Sequence, residues 1–189
     1  MISVASQVQR KKIHPHKFTM WVAIGSIVMM FAGLTSAYIV KREQPNWTSF
    51  DMPRIFWYST ITMLASSVAI QVALKSFKDR EMSRYRALIV VTLLLGALFI
   101  IFQLLGFRQL WDSGVTLKGA GAGQFLYIIF GLHGLHVLGG VVALLFIFIR
   151  AFNRKYRSYN AVPVEIAATY WHFVDLLWVY LFVFFLWIQ

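Results

Sequence analysis

The chain has 189 residues, of which 59 % are hydrophobic and 17 % aromatic, with a formal net charge of +11 and no cysteine. Only 13 % are charged, which is too few for the surface of an ordinary soluble domain, so a membrane protein is expected. The missing cysteines exclude a disulfide framework, a thiolate zinc site, an iron–sulfur cluster and a cysteine nucleophile.

Five apolar stretches follow one another along the chain. A helix needs about 20 residues to cross about 30 Å of hydrocarbon, and each stretch is long enough. Membrane β-strands would be shorter and would alternate in a closed barrel. We therefore predict an all-α membrane protein with a single transmembrane domain over residues 1–189 and five spans, at about 18–40, 55–74, 87–107, 124–149 and 166–188.

Lysine and arginine are distributed unevenly between the two sides of this bundle. Thirteen lie in the N-terminal segment and in the second and fourth loops, and five lie in the first and third loops. The bias predicts that the N-terminus is inside the cell and the C-terminus outside. It also explains the basic charge without nucleic acid, because basic loops lie beside anionic lipid headgroups.

The fourth stretch carries two histidines, His133 and His136, at membrane depth. They are one turn apart on one face of the predicted helix, among four glycines that permit close contact with a neighbouring helix. Burying ionisable groups in lipid costs several kcal/mol unless they find partners, so these histidines are candidate site residues.

The fifth stretch carries a polar stripe. Glu165 suits the positive end of the helix dipole, and Thr169, His172 and Asp175 follow it at intervals of four, three and three residues. His136 lies about 11 residues, or roughly 16 Å, from the outer end of its helix, and Asp175 lies a similar distance from the inner end of the next helix. Antiparallel packing of the two helices would place these side chains at the same depth. We therefore predict a polar lock, in which a His-to-Asp or His-to-His hydrogen bond joins the last two helices.

A metal or haem site is the alternative use of the same residues. Three intramembrane histidines could bind iron or copper. His133 and His136 share one face and cannot supply both axial ligands of one haem, so either would need His172 as its partner. A membrane enzyme with its own haem or copper therefore remains an alternative, and so does a plain scaffold.

Two linked strings carry a resemblance to a known family. FGLHGLHVLGG (130–140) and VEIAATYWHFVDLLWVYLF (164–182) resemble the signature of subunit III of the haem-copper respiratory oxidases, in which a helix with H-G-L-H-V precedes one with Y-W-H-F-V-D-x-x-W. FAGLTSAYIVKR (31–42) is similar to a further helix of that family. The five-helix length resembles the short bacterial form, which lacks two N-terminal helices.

The resemblance implies a non-catalytic core subunit of a proton-pumping terminal oxidase, either a cytochrome c oxidase or a quinol oxidase. Its partners would be subunit I, which holds haem and copper, other oxidase subunits, membrane lipid and the members of a respiratory supercomplex, in a bacterial cell (inner) membrane. This chain would hold no cofactor apart from bound phospholipid, and would support proton uptake and the stability of subunit I.

The resemblance also singles out residues, as packing or lipid-headgroup contacts and not as catalytic or metal-binding groups. Ile27 stands where many members have a buried glutamate, so no role of that carboxylate is expected in this chain. The carried-over residues are His133, His136, Glu165, Trp171, His172, Asp175 and Trp178.

Overall fold

The computed structural model describes residues 15–43, 47, 51–116, 122–152 and 161–188. All five helices found in these residues are long and apolar enough to cross a membrane, which confirms the predicted all-α bundle of five spans. Each predicted span lies inside one of them. They are α1 (Pro15–Arg42), α2 (Ile55–Lys78), α3 (Met82–Asp112), α4 (Ala122–Phe152) and α5 (Val162–Ile188).

Four of the helices form a ring, and the remaining one lies outside it. α2 and α4 each contact α3 and α5, whereas within the described residues neither diagonal pair, α2 with α4 or α3 with α5, brings its backbones close. α1 contacts α4 and α5, and its outer side chains, such as Trp21 and Met29, are exposed. α4 and α5 therefore each have three neighbouring helices, and both lie between the ring and α1.

A tight turn joins α2 to α3. Arg80 has φ +61°, a left-handed conformation that is unusual for a residue with a side chain. The Arg80 N–H donates to the Phe77 carbonyl and the Glu81 N–H donates to the Ser76 carbonyl, which is the hydrogen-bond pattern of a Schellman motif. The turn reverses the chain within three residues, so α2 and α3 lie side by side and antiparallel.

Aromatic side chains fill the centre of the ring. Trp171 and Trp178 on α5 are completely buried. The Trp178 ring lies 5.4 Å from Phe99 of α3 and 5.1 Å from Phe130 of α4, measured between ring centroids. These side chains connect the diagonal helices that the backbones do not join. In lipid such packing is a main source of helix association, because the solvent is as apolar as the side chains.

The predicted orientation depends partly on residues outside the described ranges. Those residues are Arg10, Lys11, Lys12, Lys118, Arg154, Lys155 and Arg157. Lys17 of α1 and Lys78 of α2 meet the start of α5 at one end of the bundle, and the side of the membrane on which this end lies stays a prediction.

Candidate functional site

A row of polar side chains joins α2 to α5, and we call it the α2–α5 seam. The Trp178 Nε1–H donates to Thr60 Oγ1 at 3.0 Å, and the Trp171 Nε1–H donates to Ser66 Oγ at 3.0 Å. Buried indoles need such an acceptor, because their N–H cannot reach water. The seam consists of Thr60, Ser66, Ser67 and Gln71 on α2 and of Trp171, His172 and Trp178 on α5.

His172 uses both of its ring nitrogens within the seam. Its Nδ1 lies 2.6 Å from Ser67 Oγ, and its Nε2 lies 3.0 Å from Gln71 Oε1. The imidazole is half-buried, and Gln71 is exposed at the side of the bundle. In this arrangement His172 is oriented by α2, and neither ring nitrogen is directed at the other two intramembrane histidines.

The Trp171 indole is wedged between two glycines of neighbouring helices. A Cβ added at Gly96 of α3 would lie 3.0 Å from Trp171 Cη2, and one added at Gly140 of α4 would lie 2.9 Å from Trp171 Cε3. The expected use of glycine for close helix contact is therefore present at Gly140. Gly131 and Gly134 have nothing within 4 Å of an added Cβ, so they do not serve packing among the described residues.

Two buried ionisable side chains have no hydrogen-bond partner within the described part of the chain. His133 is 1 % exposed and Asp175 is 3 % exposed, and neither ring nitrogen nor either carboxyl oxygen is bonded. The His133 ring lies 5.3 Å from the Trp178 ring. Ser67 is the hydroxyl next to the Asp175 carboxyl, although the contact does not meet hydrogen-bond geometry.

The predicted hydrogen bond between His136 and Asp175 is wrong. His136 Nδ1 lies 2.7 Å from the Leu132 carbonyl of its own helix, and its ring lies 5.8 Å from Phe31 of α1. Asp175 instead lies beside Ser67 of α2. Depth along a helix follows from residue number, but each residue also rotates the side chain by about 100°, so equal depth does not place two groups face to face.

Tyr170 forms a hydrogen bond between α4 and α5. Its hydroxyl donates to the His136 backbone carbonyl at 3.0 Å. Tyr170 was not among the predicted site residues, because an aromatic residue near the end of a membrane helix is common. The link between the last two helices therefore uses the backbone of the predicted histidine and not its side chain.

The three intramembrane histidines have separate surroundings. His133 lies against Trp178 in the core, His136 is directed towards α1, and His172 is bonded to α2. Across the described ranges, no three of the His, Asp and Glu side chains are arranged to hold a metal ion. The copper or haem arrangement considered from the sequence would need these histidines to converge, and they do not.

Glu165 joins three helices at one end of the bundle. Its Oε2 lies 2.7 Å from Lys17 Nζ of α1, and its Oε1 lies 2.8 Å from Lys78 Nζ of α2. Its place in the first turn of α5 fits the expected helix-dipole role. The Thr169 hydroxyl donates to the Glu165 carbonyl at 2.8 Å, so this member of the predicted stripe is satisfied within α5.

Sequence reasoning missed the contribution of α2. The predicted site residues all lie on the last two helices, yet α2 supplies the partners of Trp171, His172 and Trp178. The available signal was the density of serine, threonine and glutamine in STITMLASSVAIQ (59–71). Such side chains are common acceptors between membrane helices.

The fold and site together define a multi-pass membrane protein whose buried polar groups fix helices against each other. Over residues 14–189 the chain matches the family described as cytochrome c oxidase subunit III, and it therefore belongs to that family. The resemblance seen in the two linked strings is confirmed.

Named relatives agree with this membership. The chain is 31 % identical over 184 residues to the probable cytochrome c oxidase subunit 3 of Nocardia farcinica, which covers 91 % of this chain and 90 % of the relative. It is 30 % identical over 182 residues to that of Mycobacterium tuberculosis, covering 90 % of each. With the cytochrome c oxidase subunit 3 of Bacillus subtilis it shares 28 % identity over 168 residues, covering 86 % of this chain and 81 % of the relative.

Proposed function

We propose that this chain is the subunit III of a cytochrome c oxidase in a bacterial cell membrane, where it lies beside the subunit that holds haem and copper and carries no redox centre itself. The observation that carries this proposal is the separation of His133, His136 and His172, which lie against α5, α1 and α2 respectively, within a chain that matches the family almost throughout. Residues 1–189 form one transmembrane domain with the N-terminus inside.

The chain supports proton uptake and the stability of the catalytic subunit. This role is proposed from family membership. The ring of α2 to α5, with its completely buried tryptophans, supports a stabilising role because it offers the partner a firmly packed surface. The names of the relatives favour cytochrome c over a quinol as the electron donor of the complex.

A phospholipid contact at Glu165 is part of the proposal. A cavity of about 370 Å³ at this end of the bundle is lined by Lys17, Lys78 and Glu165 and also by Trp21 and Leu74. Two ammonium groups face one carboxylate, so the cluster has an excess positive charge that suits a lipid phosphate. The apolar side chains suit the upper part of an acyl chain.

The oxidase assignment is tested by mild detergent purification through a tag on this chain. We expect a haem-copper subunit to co-purify with it, together with oxygen consumption driven by reduced cytochrome c. His136→Ala should leave the optical spectrum of the complex unchanged. If the chain, separated from the other subunits, retained stoichiometric haem or copper that His136→Ala or His172→Gln removed, the proposal would be wrong.

The lipid contact is tested by mass spectrometry of the lipids that remain bound after purification. We expect the double variant Lys17→Gln/Lys78→Gln to lose bound phosphatidylglycerol several-fold relative to the wild type. Lys75→Gln is the matched control, since this lysine lies on the same helix end but does not line the cavity. Equal lipid content in the double variant and the control would contradict the contact.

A further inference from the structure

The Asp175 carboxyl group has an unusual position for an acid. It is 3 % exposed, lies near the middle of a membrane-spanning helix and has no hydrogen-bond partner of good geometry among the described residues. An ionised carboxylate without partners is strongly disfavoured in such surroundings, whereas a protonated acid is neutral and has an O–H to donate. The side chains around Asp175 therefore decide which form it takes.

Within the described helices, no lysine or arginine lies at the depth of Asp175 to pair with it. Residues 18–37 of α1, 59–74 of α2 and 87–107 of α3 contain no ionisable side chain. On α4 Arg150 lies in the last turn, and the titratable side chains further inside are those of Tyr127, His133 and His136. His133 faces Trp178, and His136 is directed towards α1. On α5 itself, Glu165 is paired with lysines at the helix start, Tyr170 donates to α4 and Tyr180 bonds Thr35 of α1. The remaining titratable side chain on α5 that can interact with Asp175 is His172.

Ser67 lies between His172 and Asp175. Its Oγ is 2.6 Å from His172 Nδ1, and the same hydroxyl is the neighbour of the Asp175 carboxyl. At the other side of the imidazole ring, Nε2 lies 3.0 Å from Gln71 Oε1, which can only accept a hydrogen bond. Four side chains thus form a row from the exposed edge of α2 to a buried acid.

The direction of the hydrogen bonds follows from the Gln71 end. Because Gln71 Oε1 accepts, a neutral His172 carries its proton on Nε2, and its Nδ1 accepts a hydrogen bond from Ser67. Ser67 has one hydroxyl proton, and after donating it to His172 it can only accept. Its acceptor side faces Asp175, so the favourable partner there is a carboxylic acid that donates.

We propose that Asp175, Ser67 and His172 form a proton-sharing relay within the membrane, in which Asp175 holds the proton at rest. In the transfer step the Asp175 proton moves to Ser67 Oγ while the Ser67 proton moves to His172 Nδ1. The products are a carboxylate and an imidazolium, and neither the number of protons nor the total charge changes. The neutral arrangement is the resting one, because burial penalises the charged pair.

The relay is a binding site for a single proton, and Gln71 marks the point where it reaches the surface of the bundle. It goes beyond the proposed function, because it is a property of α2 and α5 in this chain and involves no group of another subunit. It also gives Asp175 the hydrogen bond that it lacks as a carboxylate: the acid proton can close the contact with Ser67.

Infrared difference spectroscopy of the purified complex tests the resting state. Asp175→Asn preserves a donor to Ser67, so this variant should assemble. We expect the wild-type minus Asp175→Asn spectrum at neutral pH to contain the C=O stretch of one protonated carboxyl group, which shifts in D₂O. Ser67→Ala should move this band to higher wavenumber. Ser26→Ala is the control, because its hydroxyl bonds its own helix at Val22 O, 2.8 Å away, and it should leave the band in place.

The rate of hydrogen–deuterium exchange at the Asp175 band tests the relay itself. We expect His172→Gln to slow this exchange by a factor on the order of 10², the lower end of what a positioned proton-transfer group contributes. An unchanged rate in both His172→Gln and Ser67→Ala would overturn the relay.

A difference spectrum that contained only carboxylate bands would overturn the protonated resting state. Should Asp175→Asn fail to assemble, the wild-type minus Ser67→Ala spectrum reports the same C=O group as a shifted pair of bands, and the absence of that shift overturns the proposal. Because these spectra follow one side chain, they give a result whichever oxidase subunits accompany the chain.

Discussion

α1 and α2 both lie against α5, but they are attached in different ways. α2 accepts hydrogen bonds from two completely buried tryptophans and bonds both nitrogens of His172. α1 has a hydrogen bond of 3.0 Å between Thr35 and Tyr180 and an ion pair at its end, and most of its outer surface is exposed. The contact between α2 and α5 lies within the ring of helices, whereas the contact between α1 and α5 lies on the outside of the ring.

The comparison shows that the strongest contacts in a membrane bundle cannot be identified from its polar side chains alone. Hydrogen bonds between membrane helices contribute about 0.6 kcal/mol on average, because the separated helices also find partners. The close fit of Trp171 between Gly96 and Gly140 involves many more atoms than its single hydrogen bond. We therefore expect packing changes in the ring to have larger effects than the loss of any one polar contact.

The largest effect should come from Trp171→Ala. Removal of this completely buried indole leaves a cavity between three helices and should cost about 3–5 kcal/mol of unfolding free energy. Reversible unfolding in mixed detergent micelles would measure it. Trp187→Ala is the control on the same helix, because Trp187 is 87 % exposed and its loss should change stability by less than about 0.5 kcal/mol. Equal losses would show that burial in the ring does not set the stability.

Gly140→Ala should have the next largest effect on stability. The added methyl group would lie 2.9 Å from a ring carbon of Trp171, which cannot move aside, and overpacking of this kind costs about 1–3 kcal/mol. Gly131→Ala adds the same methyl group to the same helix with nothing within 4 Å. Both variants gain the same helix propensity, so the difference between their midpoints of thermal unfolding isolates the contact. No difference would mean that α4 and α5 are less closely packed than described.

A smaller effect is expected for the hydrogen bond between Trp178 and Thr60. A double-mutant cycle with Trp178→Phe and Thr60→Val should give a coupling energy of about 0.6–1.7 kcal/mol, the upper half of the range for bonds in membrane proteins. The bond is buried, which favours the higher values. Unfolding free energies of the wild type, the two single variants and the double variant provide the measurement. A coupling energy near zero would show that this hydrogen bond does not stabilise the α2–α5 seam.

The smallest effect is expected where α1 meets α5. A cycle with Tyr180→Phe and Thr35→Val should give about 0.6 kcal/mol or less, since Tyr180 is 45 % exposed and can find other partners. The Thr35 hydroxyl also donates to the Phe31 carbonyl, which weakens its need for Tyr180. If this coupling exceeded that of Trp178 with Thr60, the distinction between ring and outside helix would fail.

The number and approximate extent of the helices follow from sequence, because length and apolar composition are enough to define a membrane span. Rotation about the helix axis does not follow in the same way. His136 and Asp175 were placed at one depth, yet one is directed towards α1 and the other towards α2. Which helices are neighbours is decided by packing of whole faces, which a list of polar residues does not contain.

The polar residues of α2 were missed for a related reason. Serine and threonine in a helix can satisfy themselves, and Thr60 does so by donating to the Phe56 carbonyl at 2.8 Å. The same oxygen still accepts a hydrogen bond from Trp178. A hydroxyl that is already satisfied as a donor gives no sign in the sequence that its acceptor side is used by another helix.

The position of Trp171 has a consequence for biosynthesis. α5 is the last of the five helices to leave the ribosome, so α2, α3 and α4 can associate before its indole rings arrive. Until then, the gap between Gly96 and Gly140 has no occupant and Ser66 has no indole to accept from. Insertion of α5 completes the ring of helices. A truncated product that ends before α5 would have an incompletely packed bundle, which membrane quality-control proteases could degrade.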